Sequence, residues 1–347
     1  MTSKGGVLVA PLNWGLGHAT RSIPIIRALV KAGRRVIICS DGRAKYLLQA
    51  EFPENQFEEL PSYQIKYPLK QMGLYWLRQI HRLRHAIKAE HRQTEWIVSE
   101  YNISTIISDN RYGVYHPSCL NILITHQLRL PIPNFLRYFA DSYMHRLINR
   151  FDRCWVPDSA HRPGLAGNLT RGSLNVPIYF MGPISRFSKT NATRNGGVLV
   201  LLSGPEPHRS QLEEKILTQL EDINLECKMV KGKTEDLYQR QEQPNLIEAG
   251  TTALIEELLK ESTIVICRTG YSSLMDLYRL RKKAVLIPTP GQPEQLTLAA
   301  LHKENQNFVI QQEENLNLKI AIDKLQNTEA TWPQIKFANL ESLIRTI

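Results

Sequence analysis

Residues 263–276 read TIVICRTGYSSLMD, and the order of residue types in that stretch decides the fold. Thr263–Arg268 is a β-branched, apolar run of strand type. Gly270 then lets the backbone turn, and from about Tyr271 the pattern becomes helical, with Asp276 one and a half turns further on. A strand that passes through a glycine turn into a helix leaves the first helical N–H groups unpaired, beside the positive end of the helix dipole. Those N–H groups, with Thr269, Gly270, Ser272 and Ser273, can cradle a diphosphate. Asp276 can accept two hydrogen bonds from vicinal ribose hydroxyls.

The neighbouring segments repeat this grammar. Ala284–Pro288 is a strand that ends in PTPGQPEQ (288–295), a turn rich in Pro and Gly that opens another helix. Glu294 and Gln295 stand at that helix start, where an acid-amide pair can hold sugar hydroxyls through several donors and acceptors. Gly197–Ser203, Leu225–Val230 and Asn245–Glu248 are further strands, with Ser203 and Gly204 at the end of the first. Upstream, GPISRFSKTNATRN (182–195) is polar and full of turn formers, which marks a linker. Before it, Gly6–Leu12, Arg35–Ser40, Ile103–Asp109, Asn121–His126 and Arg153–Pro157 alternate with amphipathic stretches in the βαβ manner. Two Rossmann-like units in tandem follow, at 1–183 and 196–331, with a last helix over 332–347 that packs back on the first. The 347 residues suit two domains of ordinary size.

The first strand runs into Asn13-Trp14-Gly15-Leu16-Gly17-His18 and then a helical pattern. This loop lies at the carboxyl end of its strand, where open α/β sheets place their ligands, and it lacks the third glycine of a dinucleotide fingerprint. His18 is the leading candidate for a general base, since histidine titrates near neutral pH. Asp109, at the end of Ile103–Asp109, is the second candidate. His126 and Gln127, with Asn13, are placed in acceptor binding, and Gly17 in donor binding. Arg268 and the helix at Tyr271 are expected to offset the charge of a departing diphosphate.

Composition narrows the classes. Hydrophobic residues make up 42% and charged residues 22%, ordinary for a globular chain, and no apolar run reaches the roughly 18–20 residues of a membrane span. The five cysteines, at 39, 119, 154, 227 and 267, form no CxxC pair, so neither a zinc site nor a disulfide framework is indicated. A net charge of +10 implies an anionic partner. No helix-turn-helix, RNP or zinc pattern accompanies it, so nucleic acid is not expected. Over residues 74–92, Leu74, Leu77, Ile80, Leu83 and Ile87 form one stripe beside Arg78, Arg82, His85, Lys88 and Arg92, a pattern shared by interfacial helices and by core helices with a solvated basic face.

Gly15-Leu16-Gly17-His18, Arg268-Thr269-Gly270 with Ser273 and Asp276, and Glu294-Gln295 together resemble glycosyltransferase family 28. In element order the likeness runs over nearly the whole chain, and its motifs are most specific in 266–300. Asp276 stands where the family has a ribose-holding acid, here with a shorter side chain. Ser203-Gly204 stands at the family's Gly-rich loop, but with one glycine and a flanking proline. The resemblance implies an α/β GT-B fold, two Rossmann-like domains facing across a cleft. It also implies an inverting, metal-independent transfer of a sugar from a nucleotide donor, UDP foremost, to a hydroxyl acceptor of the kind that can be lipid-linked. No cofactor beyond the nucleotide-sugar co-substrate is expected. The expected location is cytoplasmic, with peripheral contact at the inner membrane surface through 74–92. Two alternatives use the same scaffold: a UDP-sugar hydrolase or epimerase, and a nucleotide-sugar binding protein without turnover.

Overall fold

The computed structural model describes residues 5–63, 73–131, 134–188, 196–221, 223, 225–236 and 245–347; of 73–80 and 134–136 only the backbone is described. The chain divides into two compact units. The first comprises residues 1–13, 21–183 and 338–347, and the second 14–20 and 184–337.

The first unit is built on a seven-stranded parallel sheet of order β3-β2-β1-β4-β5-β6-β7. Its strands are β1 (Gly6–Pro11), β2 (Val36–Ser40), β3 (Gln56–Glu59), β4 (Ile103–Asp109), β5 (Leu120–Ile124), β6 (Arg153–Val156) and β7 (Ile178–Phe180). Helices α1 (Gly17–Lys31), α2 (Gly42–Glu51), α3 (Gly73–Tyr101) and α4 (Asn134–Ile148) connect them. The second unit carries a six-stranded parallel sheet of order β10-β9-β8-β11-β12-β13. Its strands are β8 (Gly197–Leu201), β9 (Cys227–Val230), β10 (Leu246–Ile247), β11 (Ser262–Cys267), β12 (Lys283–Leu286) and β13 (Phe308–Ile310). Helices α5 (His208–Leu220), α6 (Thr252–Glu261), α7 (Tyr271–Leu280), α8 (Pro293–His302) and α9 (Leu318–Gln326) belong with it.

A parallel sheet covered on both faces needs strands that are apolar on both sides, which is why these read as unbroken Val/Ile/Leu runs. Every residue of β1 is buried. Leu8 and Ala10 pack with Ile37, Ile106 and the α3 residues Ile97 and Val98. In the second sheet Val198, Val200, Ile264, Ile266 and Val285 share a core with Leu212 and Ile216 of α5 and Ile322 of α9. Each sheet reverses strand order beside its first strand, at β1/β4 and at β8/β11, and such switch points open a ligand crevice at the carboxyl ends of the strands.

Three strands escape the sequence reading, and all three are edge strands: β3 (QFEE), β7 (IYF) and β13 (FVI). An edge strand pairs on one side only and is short or charged, so it lacks the apolar run that marks a central one. Pro24 lies inside α1. The closing helix is also shorter than the expected 332–347: it is α10 (Leu340–Ile344), begun by Asn339, whose Oδ1 accepts from Ser342 N at 3.1 Å. Trp332 instead packs edge-on against Tyr278 and Phe308 of the second unit, at ring-centre separations of 5.7 and 5.9 Å. Within the first unit, Arg34 Nη1 donates to the Ile347 carbonyl at 2.9 Å and Ala338 N to Pro183 O at 3.0 Å.

Of the 74–92 stripe, Ile87 is buried against Leu12, Tyr63 and Leu147, and Leu83 packs on the same cluster. The described part of the stripe therefore serves the core, while Arg82, His85, Lys88 and Arg92 are exposed. The side chains of Leu74, Tyr75, Trp76, Leu77, Arg78 and Ile80 lie outside the described residues. Among the described residues no helix is long and apolar enough to cross a membrane.

Candidate active site

In the second unit, β8 and β11 are hydrogen-bonded neighbours, so Ser203-Gly204 and Thr269-Gly270 leave the sheet side by side at its switch point. Gly270 is the N-cap residue of α7; no side chain caps that end and no acidic residue occupies the first turn. The φ of Gly270 is −83°, and an added Cβ would meet nothing closer than Ser273 Oγ at 3.7 Å. Neither backbone strain nor packing inside the protein therefore demands glycine there. What glycine adds is clear space in front of the helix N-terminus.

Asp276, in the middle of α7, keeps partial exposure to solvent and accepts a hydrogen bond from Ser185 Oγ at 2.6 Å. Desolvation by the surrounding protein pushes its carboxyl up to about 6, against the opposing pull of the Arg186 charge and the Ser185 hydrogen bond. The Ser272 hydroxyl donates to the carbonyl of Gly17 at 2.7 Å, which groups residues 14–20 with this unit. That bond occupies the Ser272 proton, leaving its oxygen as an acceptor. His18 follows Gly17 in the first turn of α1 and is half-buried.

Arg268 is buried in the protein. Its buried guanidinium pairs with Glu313 at 2.6 Å and donates to the carbonyls of His208, at 2.8 Å, and Pro288, at 3.4 Å. It thus fastens together the chain after β8, the end of β12 and the turn at 313, which corrects the expectation that it offsets diphosphate charge. Desolvation lowers its pKa, and Glu313 works against that shift. Gln295 is also buried, and its Oε1 accepts from Thr289 N at 2.8 Å, so its carbonyl end holds the turn after β12 while Glu294 beside it stays half-exposed.

Beside Thr269, two residues that the sequence does not single out, Thr289 and Gln292, carry polar oxygens here. Thr269 Oγ1, Thr289 Oγ1 and Gln292 Oε1 are buried and have no hydrogen-bond partner among the described residues. They follow β11 and β12, which are adjacent strands. Buried polar atoms are nearly always paired, so such atoms at neighbouring strand ends point to a partner supplied from outside the chain.

The first unit has a different construction. Arg21 binds both carboxylate oxygens of Asp109, Nε to Oδ2 at 2.5 Å and Nη2 to Oδ1, and all three of Arg21, Asp109 and His126 are buried. Asp109 is therefore the counter-ion of a fixed guanidinium, which removes it as a base candidate. Arg21 Nη1 lies 3.1 Å from His126 Nδ1. Because guanidinium can only donate, Nδ1 must accept, and the His126 proton sits on Nε2. Gln127 N donates to Thr125 Oγ1 at 3.1 Å, leaving its half-exposed side chain at the end of β5. Asn13 bridges two segments: its Nδ2 donates to Asp41 Oδ2 at 3.2 Å, and its Oδ1 accepts from Ala44 N at 3.3 Å. Asn110, missed in the sequence, has φ +57° and a buried Oδ1 without a partner among the described residues.

Two parallel α/β sheets, each in Rossmann order and each with a ligand-type switch point, make the GT-B architecture of glycosyltransferases. Residues 208–340 match the glycosyltransferase family 28 C-terminal domain, so the second unit is similar to that domain, and the chain as a whole has the GT-B fold. Solved structures share the fold at low identity. MurG of Acinetobacter baumannii superposes with TM-score 0.53 and 13% identity, over 99% of this chain and 90% of that one. The spinosyn rhamnosyltransferase SpnG, complexed with thymidine diphosphate, gives 0.61 and 13% over 98% and 99%. The glycotransferase of kitacinnamycin gives 0.58 and 15% over 94% and 91%. No curated protein matches the chain by sequence.

Proposed function

We propose that the protein moves a sugar from a nucleotide donor, with UDP the expected nucleotide, to an acceptor hydroxyl, with inversion and without a metal. The observation that carries this reading is the start of α7. A helix N-terminus with no side-chain cap, no acid in its first turn and a glycine that nothing internal requires is suited to a diphosphate. Asp276 stands on the same helix to take ribose hydroxyls, and the buried oxygens of Thr269, Thr289 and Gln292 suit the hydroxyls of the donor sugar. SpnG is a rhamnosyltransferase complexed with thymidine diphosphate, and the Arabidopsis thaliana enzyme UGT89C1 is complexed with UDP-L-rhamnose. Both support a nucleoside diphosphate for this fold.

His18 is the base in this scheme, since Asp109 is held by Arg21. The α7 dipole and N–H groups, rather than Arg268, stabilise the leaving diphosphate, a role that fixed dipoles fill without reorganisation. His126, presenting Nε2–H, is a donor to the acceptor substrate, alongside Asn13 and Gln127. The reading places the protein at the cytoplasmic face of a membrane when its acceptor is lipid-linked, with Arg82, His85, Lys88 and Arg92 meeting anionic headgroups.

Thermal melts with UDP, dTDP and GDP test the donor, because binding to the native state raises stability as ligand exceeds its dissociation constant. UDP should give the largest shift, and Gly270→Ala should weaken that shift without lowering the ligand-free melting temperature. No shift with any of the three at millimolar concentration would defeat the reading.

A further inference from the structure

The first unit contains a cavity of about 470 Å³ lined by Asn13, Asp41, Glu59, Pro61, Ser62 and Gln93. It lies at the carboxyl ends of β1, β2 and β3, with α3 supplying Gln93. Its volume falls within the roughly 300–1,000 Å³ of small-molecule sites.

The wall is assembled before any ligand arrives. Gly42 has φ +48°, and a Cβ there would stand 2.4 Å from Asn13 Nδ2, so glycine clears the place in which the Asn13 amide is fixed to Asp41 and Ala44. Behind Asp41, the buried Arg111 pairs with that carboxylate and with Glu90, the latter at 2.7 Å. Its Nε and Nη1 donate to the carbonyls of Pro11 and Pro61, each at 3.1 Å. One guanidinium thus ties the ends of β1 and β2 to the segment after β3 and to α3. Lys45 Nζ holds Glu59 from outside at 2.8 Å.

The chemistry of the lining selects a class of ligand. Among the described residues no cation lines the cavity, and its two carboxylates repel an anionic ligand. Both lining carboxylates already have a cationic partner, so a cation is not called for either. Two amides, a serine hydroxyl and carboxylate oxygens with lone pairs to spare offer many hydrogen bonds, while Leu60 and Pro61 give one small apolar surface. That mixture fits an uncharged, hydroxyl-rich ring that is apolar only on its C–H face.

We infer that this cavity binds a sugar ring of the acceptor, so that the enzyme extends a glycan rather than modifying an apolar aglycone or a phosphate. The inference rests on the transferase reading above. It gives Asn13, already read as an acceptor-binding residue, a sugar hydroxyl to hold.

The test uses the full chain and two surface variants outside the buried charge network, Gln93→Leu and Ser62→Ala. Saturation-transfer NMR with methyl glycosides of glucose, galactose, mannose and N-acetylglucosamine reports sugar binding directly, and inorganic phosphate and kaempferol serve as comparison ligands. At least one glycoside should bind the wild type and serve as acceptor. Gln93→Leu should weaken that binding about tenfold, the loss of one or two hydrogen bonds, with an unchanged melt and unchanged UDP binding. Glycoside binding that ignores both variants, or transfer to kaempferol alone, would overturn the inference. UDP binding is measured separately. A chain that takes a glycoside in this cavity but no nucleotide contradicts the transferase reading, whereas one that takes UDP and no glycoside contradicts the cavity.

Discussion

The two switch points are furnished in opposite ways. Around β1 and β4 the strand ends carry buried charge: Arg21 with Asp109, and Arg111 with Asp41 and Glu90. Around β8 and β11 they carry a bare helix end, a glycine and short hydroxyl side chains, with the ion pairs of the buried Arg268 with Glu313 and the buried Arg209 with Glu213 among the described residues. A site for an anion is made from backbone N–H groups and needs room, whereas a site for hydroxyl groups is made from oriented side chains and needs those side chains braced. The difference in construction therefore matches the assignment of donor to the second unit and acceptor to the first.

The sharpest way to break that assignment is His18→Ala. Loss of a general base should lower turnover about 10²–10⁴-fold, with UDP stabilisation close to that of the wild type. Steady-state kinetics beside a UDP melt checks it, and full activity in the variant would reject the role.

Next in size is Arg111→Met, which strands two buried acids. Breaking a buried pair from one side costs about 3–5 kcal/mol, measurable by urea unfolding. Burial raises the Glu90 carboxyl above its ordinary value, while Arg111 and the Tyr63 hydroxyl pull it back. A raised carboxyl gives stability that is full below its unfolded pKa and lost as pH rises through the folded one. Without Arg111 that folded value climbs, so the variant's deficit should be larger at pH 8 than at pH 5. A deficit of the same size at both would mean that Arg111 acts by packing alone. Arg268→Met combined with Glu313→Leu should by contrast be close to neutral, because apolar side chains then replace both members of a buried pair together.

How far these features could be read in advance depends on whether the cause is local. The central strands and both glycine loops were legible, since apolar runs and turn residues act within a few positions. Asp276, Gly270 and His18 drew attention because they sit at fixed offsets from those loops. The direction of Arg268 was not legible: its partner Glu313 is 45 residues away, and only folding decides that the guanidinium turns inward. The same holds for Asp109, whose fate is set by Arg21 at a separation of 88 residues. The 470 Å³ cavity was invisible because its lining comes from four separate segments, one of them following the unrecognised strand β3.

The Asp276 carboxyl offers a subtler test of the donor half. With its folded pKa raised from the ordinary 3.8 to about 6, the stability it confers is complete below pH 4 and is lost as pH climbs through about 6. Ribose binding has the opposite sign, because only the ionised carboxylate accepts from two hydroxyls. Wild-type affinity for UDP should therefore fall as pH drops from 7 to 5, and Asp276→Asn should show a weaker but flatter profile. Calorimetric titration across that range reads both curves. Parallel profiles would remove Asp276 from ribose binding while leaving the diphosphate contacts at Gly270 untouched.

The smallest effect concerns how the two units handle left-handed backbone. In the first, Asn102 and Asn110 take φ of 49° and 57°, and asparagine tolerates that region well. In the second, the residue at the end of α7 is Arg281, at φ 53°, where a Cβ crowds the following carbonyl. The conformation persists because Lys282 N reaches back to Leu277 O at 3.0 Å and closes the helix. Glycine would close it without the steric penalty, so Arg281→Gly should stabilise the protein by about 0.5–1 kcal/mol even after the added freedom of the unfolded chain is set against it. Arg281 is exposed and lies at the far end of α7 from Gly270, so UDP affinity should not change. A variant that gains stability but loses nucleotide affinity would show that α7 must yield at its C-terminus for the donor to bind.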